Sequence, residues 1–221
     1  MVPLIAVLLR YYPERDNNLR RLIDDLLAGS VVPDQIVVWD QSCVPPIELP
    51  VATFRSPTNF GSQAIYSLAA LWPGAQFLFC DDDLTVGPKT VEALLYHGRP
   101  SRVVGMRGRY GQWPDTAVWP DHEWCAEALL APRPADWLIG RIHLVGWEAI
   151  LRYLHVATRL TQPFHEDAVM SAVNDCVIIP ASADELYRDL DECGVGKGLD
   201  EDADITVRCQ TIRQLEDLGW I

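Results

Sequence analysis

The chain has 221 residues, 49% hydrophobic and 22% charged, an ordinary balance for a soluble globular protein with a sizeable core. Its formal charge of -13, from 18 basic and 31 acidic residues, opposes a broad electrostatic grip on nucleic acid or anionic lipid. The six cysteines contain no C-x-x-C pair, which argues against a zinc or thioredoxin-type site and fits buried thiols of a cytoplasmic protein.

The apolar run Val2 to Leu9 is too short to span a bilayer and carries no cleavage signal, so Pro3 to Leu9 reads as a first strand. A polar loop, Arg10 to Asp16, follows. From Asn17 the spacing of Leu19, Leu22, Ile23, Leu26 and Leu27 predicts a helix that Gly29 stops. Gln35 to Trp39 predicts a second strand running into Asp40-Gln41-Ser42. Strand, helix and strand in this length make a right-handed βαβ unit of a parallel sheet. After a loop containing Pro45, Pro46 and Pro50, Ala52 to Arg55 is strand-like, and Asn59-Phe60-Gly61-Ser62 leads into a helix from Gln63 to Leu71.

Phe77-Leu78-Phe79-Cys80 then runs directly into Asp81-Asp82-Asp83. The apolar part reads as a buried central strand, so the acids stand at its C-terminal end, where open α/β sheets bind their ligands. Alternation along an extended segment turns Asp81 and Asp83 one way and Asp82 the other. Adjacent carboxylates repel unless a cation neutralises them, and Mg2+ or Mn2+ needs only one or two carboxylates plus substrate phosphates. The plainer alternative is that some of these acids cap a helix near Gly87-Pro88.

Beyond this point Thr90 to Tyr96 predicts a helix and Arg102 to Met106 a strand. Gly108 to Pro134 is a long loop with Tyr110, Trp113, Trp119 and Trp124 spaced by Pro, Asp and Gly, and long loops of this kind tend to be functional. Asp136 to Val145 is strand-like and Trp147 to Leu154 helical. His165-Glu166-Asp167 opens a helix to about Val173, and Val177 to Pro180 reads as a last strand before an acidic tail with Gly194, Gly196 and Gly198, mobile until something binds. The acids at the front of the helix also have a structural reading, because a helix N-terminus favours negative charge. His165, His122 and His143 are more often structural than ligands when taken singly, though His165 adjoins the acid pair.

A Rossmann-like first half ending in D-x-D, then Leu138-Ile139-Gly140, then a Glu-Asp helix start resembles the GT-A fold of nucleotide-sugar glycosyltransferases. The matching stretches are Gln35 to Asp40, Phe79 to Asp83, Val103-Val104-Gly105, Leu138 to Gly140 and Glu166 to Met170, and they are most similar to exostosin-like domains. The resemblance implies a single α/β domain over 1–221, a mixed, mostly parallel sheet with helices on both faces. Residues 1–100 would form the nucleotide-sugar-binding half and 101–221 the acceptor-binding half. It also implies that Asp83 and Asp81 hold Mn2+ or Mg2+ on a UDP-sugar or other nucleotide sugar. Arg10 and Asp40 would contact the base, Asn59 and Gln63 the nucleotide or donor, and Asp82 the ribose or donor sugar. Asp167, with Glu166 beside it, would sit at the reacting carbon or the acceptor hydroxyl. Two departures from the exostosin-like pattern are visible: Asp40 stands where an Asn is usual, and the C-terminal Arg and His are matched only loosely by Lys197 and Arg208.

The implied chemistry is coherent in its own right. Breaking a sugar-phosphate bond leaves charge on the diphosphate that a divalent ion stabilises, and the acceptor hydroxyl needs a base. Trp113 and Trp119, with His165, are the candidate acceptor contacts, since sugars and other flat groups stack on indole faces; the same Trp residues would also serve as core. The acceptor is a glycan, a small molecule or a modified nucleobase.

Other functions remain open at this level. Asp81-x-Asp83-x-Thr85 also matches the nucleophile motif of haloacid-dehalogenase-like phosphatases, although that motif normally closes the first strand of its domain. A sugar-nucleotide-binding module without catalysis is a second alternative. A nucleotidyltransferase is a third, less favoured because no Gly-rich, Lys-containing phosphate loop follows the first strand.

Overall fold

The computed structural model describes residues 2–109, 131–138, 141–161, 164–180, 187–189 and 201–221. Strand β1 (Leu4–Arg10) is buried along its whole length, as a central strand covered on both faces must be. Its side chains alternate between two apolar layers. Ile5, Val7 and Leu9 enter one, and Leu4, Ala6 and Leu8 the other.

Helix α1 (Asp16–Leu27) buries Leu19, Leu22, Ile23 and Leu26 of the expected stripe against the second layer, whereas Leu27, expected with them, is exposed. Strand β2 (Gln35–Asp40) returns parallel to β1, and β3 (Ala52–Arg55) lies parallel outside β2. A 3-10 helix, Ser62–Leu71, leads to β4 (Gln76–Cys80), which pairs parallel with the other side of β1. β5 (Leu84–Val86), α2 (Thr90–His97), β6 (Arg102–Gly105), β7 (Gly108–Arg109), β8 (Arg133–Pro134) and β9 (Trp137–Leu138) follow. β10 (Ile142–Val145), α3 (Trp147–Ala157), α4 (Glu166–Ala172), β11 (Asp175–Ile178), β12 (Tyr187–Asp189) and α5 (Glu201–Asp217) end the described chain.

The main sheet has eight strands in the order β3-β2-β1-β4-β10-β6-β11-β8. Its first four strands are parallel, β10 runs antiparallel to both β4 and β6, and β11 pairs parallel with β6. The 3-10 helix, α3, α4 and α5 contribute to the layer on one face, and α1 and α2 to the layer on the other. This is the expected single α/β domain with a mixed, mostly parallel sheet.

The helix expected from Gln63 to Leu71 is present as a 3-10 helix, whose three-residue repeat stacks Ile65 on Leu68 and Tyr66 on Ala69, all four buried. Two local expectations are corrected. The expected strand from Asp136 to Val145 is divided: β9 pairs with β7 in a small separate ladder, whereas β10 enters the main sheet. Finally, the strand expected from Val177 to Pro180 is β11, which begins at Asp175 and is not the last strand, because β12 follows it, and the acidic tail includes α5, with Ile212 and Leu215 buried. The glycines at 194, 196 and 198 lie outside the described residues.

The burial pattern gives a direct test. Phe77 is fully buried in β4, whereas Tyr96 in α2 is 78% exposed. Phe77→Ala is expected to lower stability to urea by about 3–5 kcal/mol, and Tyr96→Ala by no more than about 0.5 kcal/mol.

Candidate active site

The buried strand β4 delivers three acids to the C-terminal edge of the sheet. Beyond Cys80 the chain turns, so the alternation expected from an extended segment does not continue. Asp82 and Asp83 both reach Arg15, at 2.9 and 3.1 Å. Asp82 also accepts the Tyr11 backbone N–H at 3.3 Å, and burial outweighs these bonds to raise its carboxyl above the usual range. Asp83 accepts Arg141 Nη1 at 2.7 Å through the same Oδ2 that Arg15 approaches, while its buried Oδ1 has no hydrogen-bond partner.

Asp81 is the most open of the three, with 34% of its side chain exposed. Its N–H donates to the Arg141 carbonyl at 3.0 Å, and its carboxylate stands 4.0 Å from the Arg141 guanidinium. Burial against the protein, then the charge of Asp83, pushes the Asp81 carboxyl well above its ordinary value; Arg141 pulls it back, and Asp82 and Asp167 add to the rise. Among the described residues no group of three or more His, Cys, Asp and Glu could hold a metal ion. Two carboxylates, one partly exposed and one with an unbonded oxygen, are nevertheless the donor set that a hard divalent cation shares with phosphate.

Arg10 and Asp40 stand at the ends of β1 and β2, paired at 2.9 Å and only 2% and 1% exposed. Arg10 also grips both oxygens of Asp16 at 2.7 and 2.8 Å and the Ser42 hydroxyl at 2.8 Å. Expected as base contacts, these two side chains are closed off from a base here. They pin the loops after β1 and β2, because a buried charge must be paired.

Asn59 is exposed and turns its Oδ1 onto the Gly61 N–H at 2.8 Å. Gln41 clamps the same loop, accepting the Phe60 N–H at 2.8 Å and donating to the Gly61 carbonyl at 3.0 Å. Gly61 adopts φ 79°, the left-handed conformation that glycine enters without strain, and the 3-10 helix carrying half-buried Gln63 starts there.

Within electrostatic reach of Asp81, the first turn of α4 carries half-buried Glu166 and Asp167. Burial raises the Glu166 carboxyl, and a hydrogen bond with Ser62 and the charge of Arg208 moderate the rise. Asp167 acts electrostatically on Asp81 and on Tyr66 and Tyr153. Tyr11 links the two walls. Burial and the charges of Glu166 and Asp81 raise its phenol pKa, while hydrogen bonds with Gln41 and Ser62 oppose that. Beneath them the Tyr66 hydroxyl meets His143 Nε2 at 2.9 Å, and the Tyr66 ring packs 4.6 Å from that of Tyr153.

His165, expected as an acceptor contact, donates its backbone N–H to Thr211 Oγ1 at 2.8 Å, and its ring lies 5.6 Å from that of Trp137. Trp113, Trp119 and Trp124, with Ile139, Gly140 and Lys197, lie outside the described residues. The structure thus groups Asp81, Asp82, Asp83, Glu166 and Asp167, and brings Asn59 and Gln63 to the same edge. It adds Tyr11, Arg15, Gln41, Ser62 and Arg141, which the sequence reading did not single out. The neighbourhood of Arg15 was legible as the polar loop after β1; Arg141 had no local signal.

By sequence, no family model and no curated protein matches the chain. By structure it is similar to GalNAc-T7 crystallised with UDP, GalNAc and Mn2+, with TM-score 0.64 and 12% identity over 98% of this chain and 48% of that one. It is also similar to the 1-349 fragment of S. aureus TarS, with TM-score 0.52 and 12% identity over 99% and 73% of the two chains. For longer TarS the TM-score is 0.56 at 12% identity over 97% and 43%. The chain therefore spans about half the length of GalNAc-T7, and its fold is the GT-A fold.

Burial of Glu166 generates a pH dependence with a definite sign. Its carboxyl titrates above the roughly 4.3 of an exposed glutamate. Between those two values the folded protein keeps a proton that the unfolded chain has lost, so this group's contribution to stability falls as pH rises through the window. Thermal unfolding of Glu166→Gln should therefore show a melting point above that of the parent at about pH 8 and a gap that closes near about pH 4.

Proposed function

We propose that this protein is a metal-dependent glycosyltransferase that moves a sugar from a nucleotide-diphosphate sugar, UDP-sugar favoured, to an acceptor hydroxyl. One observation carries the reading: in a GT-A fold, three carboxylates leave the C-terminal end of β4, and the most open of them, Asp81, stands within electrostatic reach of Asp167 at the start of α4. The Mn2+ and UDP in the GalNAc-T7 structure support the choice of cofactor and donor. The short motifs shared with exostosin-like domains support that kinship within the fold.

Asp81 and Asp83 would hold Mn2+ or Mg2+. Such an ion supplies Lewis-acid stabilisation of the charge that develops on the departing diphosphate. The guanidinium groups of Arg15 and Arg141, already beside these carboxylates, offer donors to the same phosphate oxygens. Asp82, fixed by Arg15, borders the ribose or donor sugar, and Asn59 and Gln63 cover the nucleotide from the clamped loop. Asp167 accepts the acceptor hydroxyl proton in an inverting reaction, with Glu166 beside it. The half from 101 to 221 provides the acceptor side, for a glycan, a small molecule or a modified nucleobase. The working compartment is the cytoplasm: Cys43, Cys80, Cys176 and Cys209 are free thiols. Among the described residues no helix is long and apolar enough to cross a membrane.

A binding module without turnover is the second reading, favoured by the arginine pairing that already neutralises Asp83. The phosphatase reading has less support, because its nucleophile motif belongs after a first strand and these acids follow β4.

A thermal-shift panel of UDP-, GDP- and dTDP-sugars with and without Mn2+ tests the proposal. The expected outcome is a metal-dependent rise with at least one donor that Asp83→Ala abolishes; equal shifts in that variant would remove Asp83 from the site. Measured as release of the nucleoside diphosphate, Asp167→Asn should keep the shift and lower turnover by about 10²- to 10⁴-fold. A shift with no turnover in the parent protein would favour the binding module.

A further inference from the structure

We propose that Arg141 makes the cation and the nucleoside diphosphate bind as a unit, by holding Asp83 in the free protein and turning to the diphosphate when both arrive. The inference rests on the glycosyltransferase reading and assigns to this chain a positioning residue that the reading does not require.

The geometry supports it in three ways. Arg141 precedes β10, which pairs antiparallel with β4 so that Ile142 stands opposite Cys80. The next position along that ladder is Arg141 opposite Asp81, held by the Asp81 N–H on the Arg141 carbonyl at 3.0 Å. The backbone therefore fixes where the guanidinium starts. Its side chain reaches Asp83 Oδ2 at 2.7 Å and stays 27% exposed, which leaves the head group room to leave without opening the core. Arg15 cannot do the same at equal ease, because it is 11% exposed and also tied to Asp82 at 2.9 Å.

Both arginines approach Asp83 Oδ2 and neither reaches buried Oδ1. A carboxylate held in this way is half-committed. A divalent ion arriving alone meets a guanidinium 2.7 Å from one ligand and 4.0 Å from the other, so like charge opposes it. A diphosphate arriving alone meets Asp81 and Asp83 and is opposed in turn. Together the two ligands remove both objections: the ion takes the carboxylates, and Arg141 gains phosphate oxygens in place of the carboxylate oxygen it gives up. Reciprocity follows, since whatever factor the nucleotide adds to cation affinity the cation must add to nucleotide affinity.

The size of the effect can be set from the ordinary influence of one charge. An opposite charge within about 4–6 Å weakens proton binding to a carboxylate by about one to three powers of ten, and a divalent ion feels the same guanidinium at least as strongly. Removing it by Arg141→Gln should therefore tighten Mn2+ alone by about tenfold or more.

The test is Mn2+ titration followed by electron paramagnetic resonance of the free ion, with and without UDP, in the parent protein, Arg141→Gln and Arg141→Lys. The expected result is a crossing. Arg141→Gln binds Mn2+ alone more tightly than the parent, binds UDP in the presence of Mn2+ more weakly, and loses most of the enhancement that UDP gives to Mn2+; Arg141→Lys lies between. Both affinities falling together would mean that Arg141 only shapes the site and would overturn the inference, as would unchanged Mn2+ affinity. Thermal midpoints of the apo variants show whether each is folded, and Arg141→Lys keeps the charge if the glutamine variant is not. If the parent binds no Mn2+ even with UDP, the metal-dependent reading itself fails and this inference falls with it; if the parent binds both and the crossing is missing, the inference fails alone.

Discussion

Carboxylates crowded at the end of a strand buried from Phe77 to Cys80 constrain everything around them. Phe77, Leu78 and Phe79 are at most 1% exposed, so β4 cannot shift to carry its last residues into bulk water. Asp82 and Asp83 are accordingly only 2% and 7% exposed, and charges so placed must find partners. Arg15 arrives from the turn before α1 and Arg141 from the edge of β10, two elements otherwise remote from each other. Removing one member of such a buried pair typically costs about 3–5 kcal/mol, because the other is left uncompensated. Asp81 remains the least compensated, and its raised carboxyl is the mark of a group kept in an environment that disfavours its charge.

The antiparallel strand β10 is the device that completes this arrangement. In a purely parallel sheet each strand presents its C-terminal end at the same edge, so a neighbour of β4 would bring a loop following a strand. Inserting β10 in the opposite sense brings instead the residue before a strand, and the register of Ile142 on Cys80 sets that residue opposite Asp81. The same strand places His143 beside Phe79, with ring centroids 5.4 Å apart, where Nε2 meets Tyr66. One reversed strand thus supplies both a cation at the surface of the site and a buried polar contact beneath it.

What the sequence disclosed follows the range of the forces involved. The parallel half was legible because apolar periodicity is local: Leu19, Leu22, Ile23 and Leu26 mark a helix face, and Phe77 to Cys80 a strand. The GT-A architecture was implied only by the resemblance of several short motifs to that family, whereas the acids of β4 and α4 could be placed from the same local signals. Long-range pairing could not. Nothing near Arg141 in the chain announces Asp81, and the burial of Arg10 against Asp40 depends on a parallel register of β1 and β2 that composition does not specify. The turn after Cys80 defeated an alternation argument that holds only while the backbone is extended. The tail misled for a different reason: its acidic and glycine-containing stretch drew attention away from Ile212 and Leu215, the spacing by which α5 packs.

The two walls of the site differ in what holds them. The wall of β4 is tied to the buried core, whereas the other wall is assembled from side-chain hydrogen bonds between loop ends: Gln41 on the backbone of Phe60 and Gly61, Tyr11 with Gln41 and Ser62, and Ser62 with Glu166. Behind it runs a ten-residue 3-10 helix, a conformation whose poorer hydrogen-bond geometry seldom sustains runs beyond about three to four residues. Its retention at this length depends on Ile65, Tyr66, Leu68 and Ala69 being seated on the sheet, because the helix alone would not persist. Packing therefore fixes the base of this wall while its rim, Asn59 to Ser62, depends on a few polar contacts. That division sets an unyielding charge centre against an adaptable edge, and it is the edge that carries the residues proposed to cover the nucleotide.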